Sequence, residues 1–212
     1  MYQLYYYPLN ASMAPHFLLE AINADYELVL VDRKQNSHKS AEYLSLNPAG
    51  RIPTLVTNGK AQFESAAICI QLAENHPECK LIPKLDEEAR PEFFQWMMYL
   101  TNTLQSQLMA YFYPQRQTIE LAHCDAIVAA QDLLIVESFA LLDSTLAHRE
   151  YLIGEELSAC DFYLFMLCVW GDEVTTPPLA FEHLGKHLKK LATHQAVKTV
   201  CKKEGLSLDE YL

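Results

Sequence analysis

The chain has 212 residues, half of them hydrophobic and a fifth charged, with a formal net charge of −11. These proportions are typical of a packed globular protein of one or two domains. The negative charge argues against a surface built to neutralise phosphates, because such surfaces depend on an excess of lysine and arginine. We therefore expect neither nucleic acid nor a membrane among its partners.

The ends of the chain and its cysteines suggest a compartment. The first residues lack the basic and apolar regions of a signal peptide. The longest uncharged run near the C-terminus, 162–171, is far below the ~20 residues that a membrane helix needs. The six cysteines are scattered without a C-x-x-C pair, unlike a secreted disulfide framework. We expect a cytoplasmic protein with reduced thiols.

The N-terminal third alternates strand and helix patterns. The aromatic segment 3–7 predicts a buried strand, and 26–31 predicts a second one. Between them, apolar spacing predicts a helix over 13–22, with Ser12 placed to cap it. A strand, a helix and a strand within roughly thirty residues are typical of a parallel crossover unit.

A helix, a hairpin and a second helix follow. The segment 40–46 predicts a short helix, and Asn58-Gly59 between strands at 52–56 and 60–63 predicts a tight hairpin. Glu64-Ser65 then opens another helix, which ends near residue 77. This order of elements indicates a small mixed α/β domain.

The pattern becomes entirely helical from about residue 86. A capping-box variant at Ser158–Asp161 precedes the segment 162–170, which is apolar on every side and predicts a buried central helix. Three further segments repeat apolar residues at helical spacing, namely 89–108, 122–146 and 182–203. His183 and His187 share one helix face, but no further ligand completes a zinc pattern, so we predict no metal.

Four motifs, in this order, resemble the cytosolic glutathione transferase superfamily, and its bacterial beta-class members in particular. They are a strand-to-helix loop, a cis-proline segment, an acidic-Ser pair and a buried capping-box helix: Tyr5–His16, Asn47–Leu55, Phe63–Ile68 and Tyr151–Asp161. The resemblance implies an α/β thioredoxin-like domain at 1–77, a linker at 78–85 and an all-α helical-bundle domain at 86–212. It also implies a symmetric homodimer, a role in detoxification, and glutathione as co-substrate with no other cofactor.

This resemblance implies an enzyme that conjugates glutathione to small hydrophobic electrophiles. The thiol has a pKa of about 8.5 when free, so the site must stabilise the thiolate. A hydroxyl at the start of the first helix suits this role, which makes Ser12 the first catalytic candidate. Tyr6 is the second, because other classes use a tyrosine at the end of the first strand, and the Asn10 amide is a third donor. Beta-class enzymes have a cysteine where this chain has Ala11, so no mixed disulfide forms there.

The resemblance also assigns the peptide part of glutathione. A cis bond before Pro53 would turn the backbone of Ile52 toward the cysteinyl backbone of the ligand. Ser65, at a helix start, would bind the γ-glutamyl carboxylate, and Glu64 would hold the ammonium. The glycyl carboxylate needs a cation, for which one loop offers three candidates, with Lys39 preferred: Lys34, His38 and Lys39.

The electrophile site is expected on the helical domain, at adaptable and aromatic residues: Tyr99, Gln105, Met109, Phe112, Tyr113 and Trp170. Beta-class enzymes have an asparagine at Met98 and a histidine at Gln105, and these departures weaken the transfer of their cross-subunit glutathione contacts to this chain. Two alternatives stay open. One is a non-catalytic binding or regulatory protein on the same scaffold, and the other is a glutathione-dependent peroxidase or thiol transferase.

Overall fold

The computed structural model describes all residues, Met1–Leu212, and backbone contacts divide them into two compact units. The first unit comprises 1–82 with 192–210 and the last residue; the second comprises 83–191 with Tyr211. The last predicted helical segment, 182–203, is therefore divided, and only its residues from 192 onward belong to the first unit. The boundaries proposed from sequence, at 77–86, remain a prediction.

The first unit contains a four-stranded sheet in the order β2-β1-β3-β4. The strands are β1 (Tyr2–Tyr6), β2 (Tyr26–Leu30), β3 (Thr54–Thr57) and β4 (Lys60–Phe63). β1 pairs in parallel with β2 and antiparallel with β3, and β3 forms a hairpin with β4. The predicted parallel crossover and the hairpin at Asn58-Gly59 are both present.

The helices in chain order are α1 (Met13–Ala21), α2 (Ala41–Leu46), α3 (Ser65–Asn75), α4 (Arg90–Tyr99), α5 (Gln105–Phe112), α6 (Cys124–Leu146), α7 (Ala159–Trp170), α8 (Glu182–Ala192) and α9 (Gln195–Glu204). In the first unit, α1 packs against α3 and α9. Its inner face, which includes Phe17 and Leu18, is fully buried, because an amphipathic helix covers the apolar face of a sheet.

Helix α7 is the core of the second unit, and Ala159–Cys168 are all buried. Its predicted capping box is present. The Cys160 N–H donates to Ser158 Oγ at 3.2 Å, and the Ser158 N–H donates to Asp161 Oδ2 at 2.8 Å. The thioredoxin-like sheet and the helical second half confirm the predicted fold class. None of the helices combines the length and apolarity needed to cross a bilayer.

Three details of the predicted helices are wrong. The segment 182–203 forms two helices, because α8 ends at Ala192 and α9 begins at Gln195. His194 Nδ1 caps the start of α9 by accepting the Ala196 N–H at 3.2 Å. The segment 89–108 continues to Phe112 through a π-helical stretch of five residues. Ser12 does not cap α1 with its side chain, because its hydroxyl is already bonded to Tyr7.

Candidate functional site

The loop Tyr7–Ser12 connects β1 to α1 and folds back on itself. The Asn10 N–H donates to the Tyr7 carbonyl at 3.2 Å, and the Met13 N–H donates to the Asn10 carbonyl at 2.9 Å. The Asn10 side chain accepts the Ala11 N–H at 2.9 Å. Leu9 has a φ of 57°, in the left-handed region that side chains rarely adopt. The loop therefore has a defined backbone path at the positive end of α1.

Ser12 and Asn10 differ in access. Ser12 is fully buried, and its hydroxyl donates to the Tyr7 carbonyl at 3.1 Å while accepting the Tyr7 N–H at 3.3 Å. Contact between this hydroxyl and a ligand requires the loop to open, so the predicted sulfur contact stays a prediction. Asn10 is half-buried. Because its Oδ1 accepts the Ala11 N–H, its NH2 group is the end that remains for a ligand.

The three tyrosines at the end of β1 lie on two opposite faces of the sheet. The Tyr6 ring meets the His16 ring edge-on, with centroids 6.4 Å apart, on the side that α1 covers. Tyr5 and Tyr7 pack on the opposite face with a buried cluster of Val31, Tyr43 and Ile52. Alternation along a strand produces this division. The position of Tyr6 is that of a packing residue.

The segment before β3 has the predicted cis peptide bond, between Ile52 and Pro53. The Arg51 carbonyl just before it is held by two donors, the Tyr43 hydroxyl at 2.6 Å and the Asn47 amide at 2.7 Å. The Tyr43 hydroxyl also lies 2.9 Å from Thr54 Oγ1, and burial raises the pKa of Tyr43. Because the strand pairing of β3 begins at Thr54, the backbone of Ile52 lies outside the sheet.

The start of α3 is joined directly to the loop. Ser65 is buried, and its hydroxyl donates to the Ala11 carbonyl at 2.5 Å. Glu64, just before it, is exposed and has a φ of 73°. The beginnings of α1 and α3 are thus brought together, and both present the partial positive charge of a helix N-terminus.

The candidate cations lie in the segment after β2. Lys39 is exposed, but its ammonium donates to the Gly50 carbonyl at 3.0 Å and reaches the Ala49 carbonyl at 3.5 Å. Burial, and then the charges of Lys39 and Arg33, lower the pKa of His38. Arg33, which the sequence analysis did not consider, has its guanidinium 6.0 Å from the Tyr7 ring centroid. Its place in the polar segment shortly after β2 was the available signal.

The predicted electrophile-site residues all belong to the second unit, and several have partners there. Gln105 Oε1 accepts the Tyr163 hydroxyl at 2.7 Å. The Tyr99 ring contacts Trp96 edge-on at 5.6 Å, and Arg116 lies 4.0 Å from the Tyr113 ring centroid. The remaining three are half-buried or exposed: Met109, Phe112 and Trp170. An open cavity of about 460 Å³ in this unit is lined by none of the six.

Comparison with known proteins identifies a family that this chain resembles. Residues 2–74 match the profile "Glutathione S-transferase, N-terminal domain". A curated glutathione S-transferase of Hypomyces subiculosus is 31% identical over 147 residues, covering 65% of this chain and 68% of that protein.

Two solved bacterial structures are similar over nearly the whole chain. A sphingomonad glutathione S-transferase complexed with glutathione is 27% identical with a TM-score of 0.84, covering 97% of this chain and all of the other. A beta-class enzyme of Sphingomonas chungbukensis is 25% identical with a TM-score of 0.85 and the same coverage.

Proposed function

This chain belongs to the glutathione S-transferase family, and on that premise we propose that it binds glutathione and conjugates it to small hydrophobic electrophiles. The observation that carries the proposal is the bond between Ser65 and the Ala11 carbonyl, which joins the starts of α3 and α1. Two helix N-termini at one place favour a ligand with both a carboxylate and a thiolate. Glutathione has both groups.

The thiolate is proposed to lie at the Asn10 end of the loop. The half-buried Asn10 amide supports this, because its NH2 group has no partner within the chain. The hydroxyl predicted for this role, that of Ser12, would first have to leave the Tyr7 carbonyl. After the thiol loses its proton to solvent, sulfur bonds to the electrophilic carbon and the leaving group departs with its electron pair.

The peptide part of glutathione is proposed to follow the edge at Ile52-Pro53. The Arg51 carbonyl accepts hydrogen bonds from Tyr43 and Asn47, which supports a fixed backbone at this edge. Ser65 and Glu64 remain the proposed partners of the γ-glutamyl group, and Lys39 that of the glycyl carboxylate. Since Lys39 already donates to the Gly50 carbonyl, Arg33 is a second proposed cation for this carboxylate.

The remaining parts of the proposal rest on the family. We propose a cytoplasmic homodimer that acts in detoxification and uses no cofactor besides glutathione as co-substrate. Tyr99, Gln105, Met109, Phe112, Tyr113 and Trp170 remain the proposed electrophile site. Light scattering tests the dimer, because a monomer would have the chain mass of 24.2 kDa at micromolar concentration.

Titration calorimetry with glutathione, followed by a conjugation assay with 1-chloro-2,4-dinitrobenzene, tests the function. Saturable heat and conjugate formation are expected. Heat without turnover of this electrophile or of a hydroperoxide would favour the non-catalytic binding protein, and hydroperoxide reduction alone would favour the peroxidase. No heat at millimolar glutathione would refute the proposal. Glu210→Gln, an exposed change near the C-terminus, is the control for substitutions in the glutathione site.

A further inference from the structure

A fully buried pair of a histidine and a glutamate lies in the first unit, and the proposed reaction does not use it. His16 Nδ1 in α1 is 2.6 Å from Glu204 Oε1 in α9, and neither side chain has any exposed surface. Burying such groups is costly unless further hydrogen bonds satisfy them. The remaining partners of the pair therefore indicate what it does.

The second oxygen of the Glu204 carboxylate reaches the loop before α1. Oε2 accepts the Leu9 N–H at 2.8 Å. Leu9 is the loop residue in the left-handed region, and it directly precedes Asn10. The bond to a charged acceptor therefore holds the backbone at the point where its conformation is least favourable.

The other ring nitrogen of His16 completes a chain of donors and acceptors. His16 Nε2 is 3.0 Å from the Tyr26 hydroxyl oxygen, and Lys203 Nζ donates to the same oxygen at 2.8 Å. The single hydroxyl proton of Tyr26 is donated to the Glu20 carboxylate. His16 Nε2 must then be a donor, and Nδ1 must also be one because it faces a carboxylate. Both nitrogens of the buried ring are therefore held by hydrogen bonds.

The nearby Lys203 ammonium is already paired, because its Nζ donates to Glu20 Oε1 at 2.7 Å. Burial, and the hydrogen bond to Glu20, raise the pKa of Tyr26 to about 12, so it stays a neutral phenol. Burial, and then the Glu204 charge, raise the pKa of Cys201 to about 12. Tyr6 contributes only the edge of its ring, 6.4 Å from the His16 centroid. Glu204 is thus held by His16 on one side and holds Leu9 on the other.

We propose that Glu204 is a positioning residue of the glutathione site: held by His16, its carboxylate fixes Leu9 and thereby orients the Asn10 amide toward the sulfur. The ligand part of this inference rests on the proposed function, whereas the backbone part does not. The residues involved are 195 positions apart in the chain.

Two substitutions at one position separate the acceptor from the charge. Glu204→Gln keeps an oxygen for the Leu9 N–H, and its NH2 group can donate to a neutral His16, so the network is rescued. Glu204→Met has a similar length but no strong acceptor. Lys202→Met places the same side chain on an exposed site of α9 and is the control.

We expect Glu204→Met to weaken glutathione binding about tenfold or more, because a bond to a charged acceptor is lost. Glu204→Gln is expected to stay within about threefold of the original protein, and Lys202→Met to match it. Titration calorimetry measures these affinities. Amide hydrogen exchange at Leu9 in the ligand-free protein is the second readout, expected to be about tenfold faster only in Glu204→Met.

Equal glutathione affinities in the Met and Gln variants, both near the unsubstituted protein, would overturn the proposal. If the unsubstituted protein binds no glutathione, the proposed function fails instead, and exchange at Leu9 decides alone. Unchanged exchange in Glu204→Met then overturns the positioning role. If that variant does not fold, Glu204→Asp replaces it, since it keeps the charge but is one methylene shorter. It is expected to weaken binding at least about threefold, and unchanged affinity and exchange would count against the proposal.

Discussion

The roles of Asn10 and Ser12 can be separated by measuring stability and thiol acidity in the same variants. Ser12→Ala removes the partner of the Tyr7 N–H, whereas the Tyr7 carbonyl keeps the Asn10 N–H at 3.2 Å. One partly buried donor is left unsatisfied, which costs about 1–3 kcal/mol. We expect the free energy of unfolding to fall by that amount. The thiol pKa of bound glutathione is expected to change by less than about half a unit.

Asn10→Ala is expected to do the opposite. It removes the proposed donor to sulfur, so the thiol pKa of bound glutathione should rise by about one to two units, or about 1.4–2.8 kcal/mol of lost thiolate stabilisation. The loss of the Asn10 bond to Ala11 should cost only about 0.5–1.5 kcal/mol of stability.

The assay is the pH dependence of thiolate absorbance for bound glutathione, beside urea unfolding of the same samples. Tyr6→Phe is the third variant, and it is expected to leave the thiol pKa unchanged because the Tyr6 ring packs against His16. A rise of one to two units in Ser12→Ala alone would refute the reasoning from burial and restore the hydroxyl donor. A rise in Tyr6→Phe alone would assign the role to the strand tyrosine.

Three further predictions concern the scaffold. Tyr43→Phe, which removes a donor to the Arg51 carbonyl, should lower stability by about 1–2 kcal/mol and weaken glutathione binding, as urea unfolding and calorimetry will report. Gly171→Ala should cost about 1–3 kcal/mol in thermal unfolding, because a Cβ there would lie 2.5 Å from the Phe139 ring; an unchanged melting temperature would contradict this. Partial burial acts to raise the pKa of Glu20, but its hydrogen bonds to Lys203 and Tyr26 lower the pKa below 4.5. The stability that the Glu20 carboxylate adds to the folded protein is therefore complete above pH 4.5 and is lost as the pH falls through the folded-state pKa. Urea unfolding of Glu20→Gln from about pH 3 to about pH 7 should show its deficit only at the higher pH, and a constant deficit would contradict the linkage.

Local patterns in the sequence determined most of the architecture. The family resemblance implied the cis bond before Pro53. Local patterns predicted three further features: the crossover, the Asn58-Gly59 hairpin and the Ser158–Asp161 capping box. Each depends on turn chemistry, capping or apolar period within a few residues, so the information lies in neighbouring positions. The family resemblance followed from the same motifs.

Only the tertiary structure decided which side chains of these motifs remain accessible. Ser12 has the residue type of a thiolate donor, but the fold buries it and uses its hydroxyl to close the loop. Glu204 lies in a helix that the pattern merged with α8, and no local signal relates it to Leu9 or His16. Burial and pairing between residues nearly two hundred positions apart arise from packing, which leaves no periodic trace along the chain.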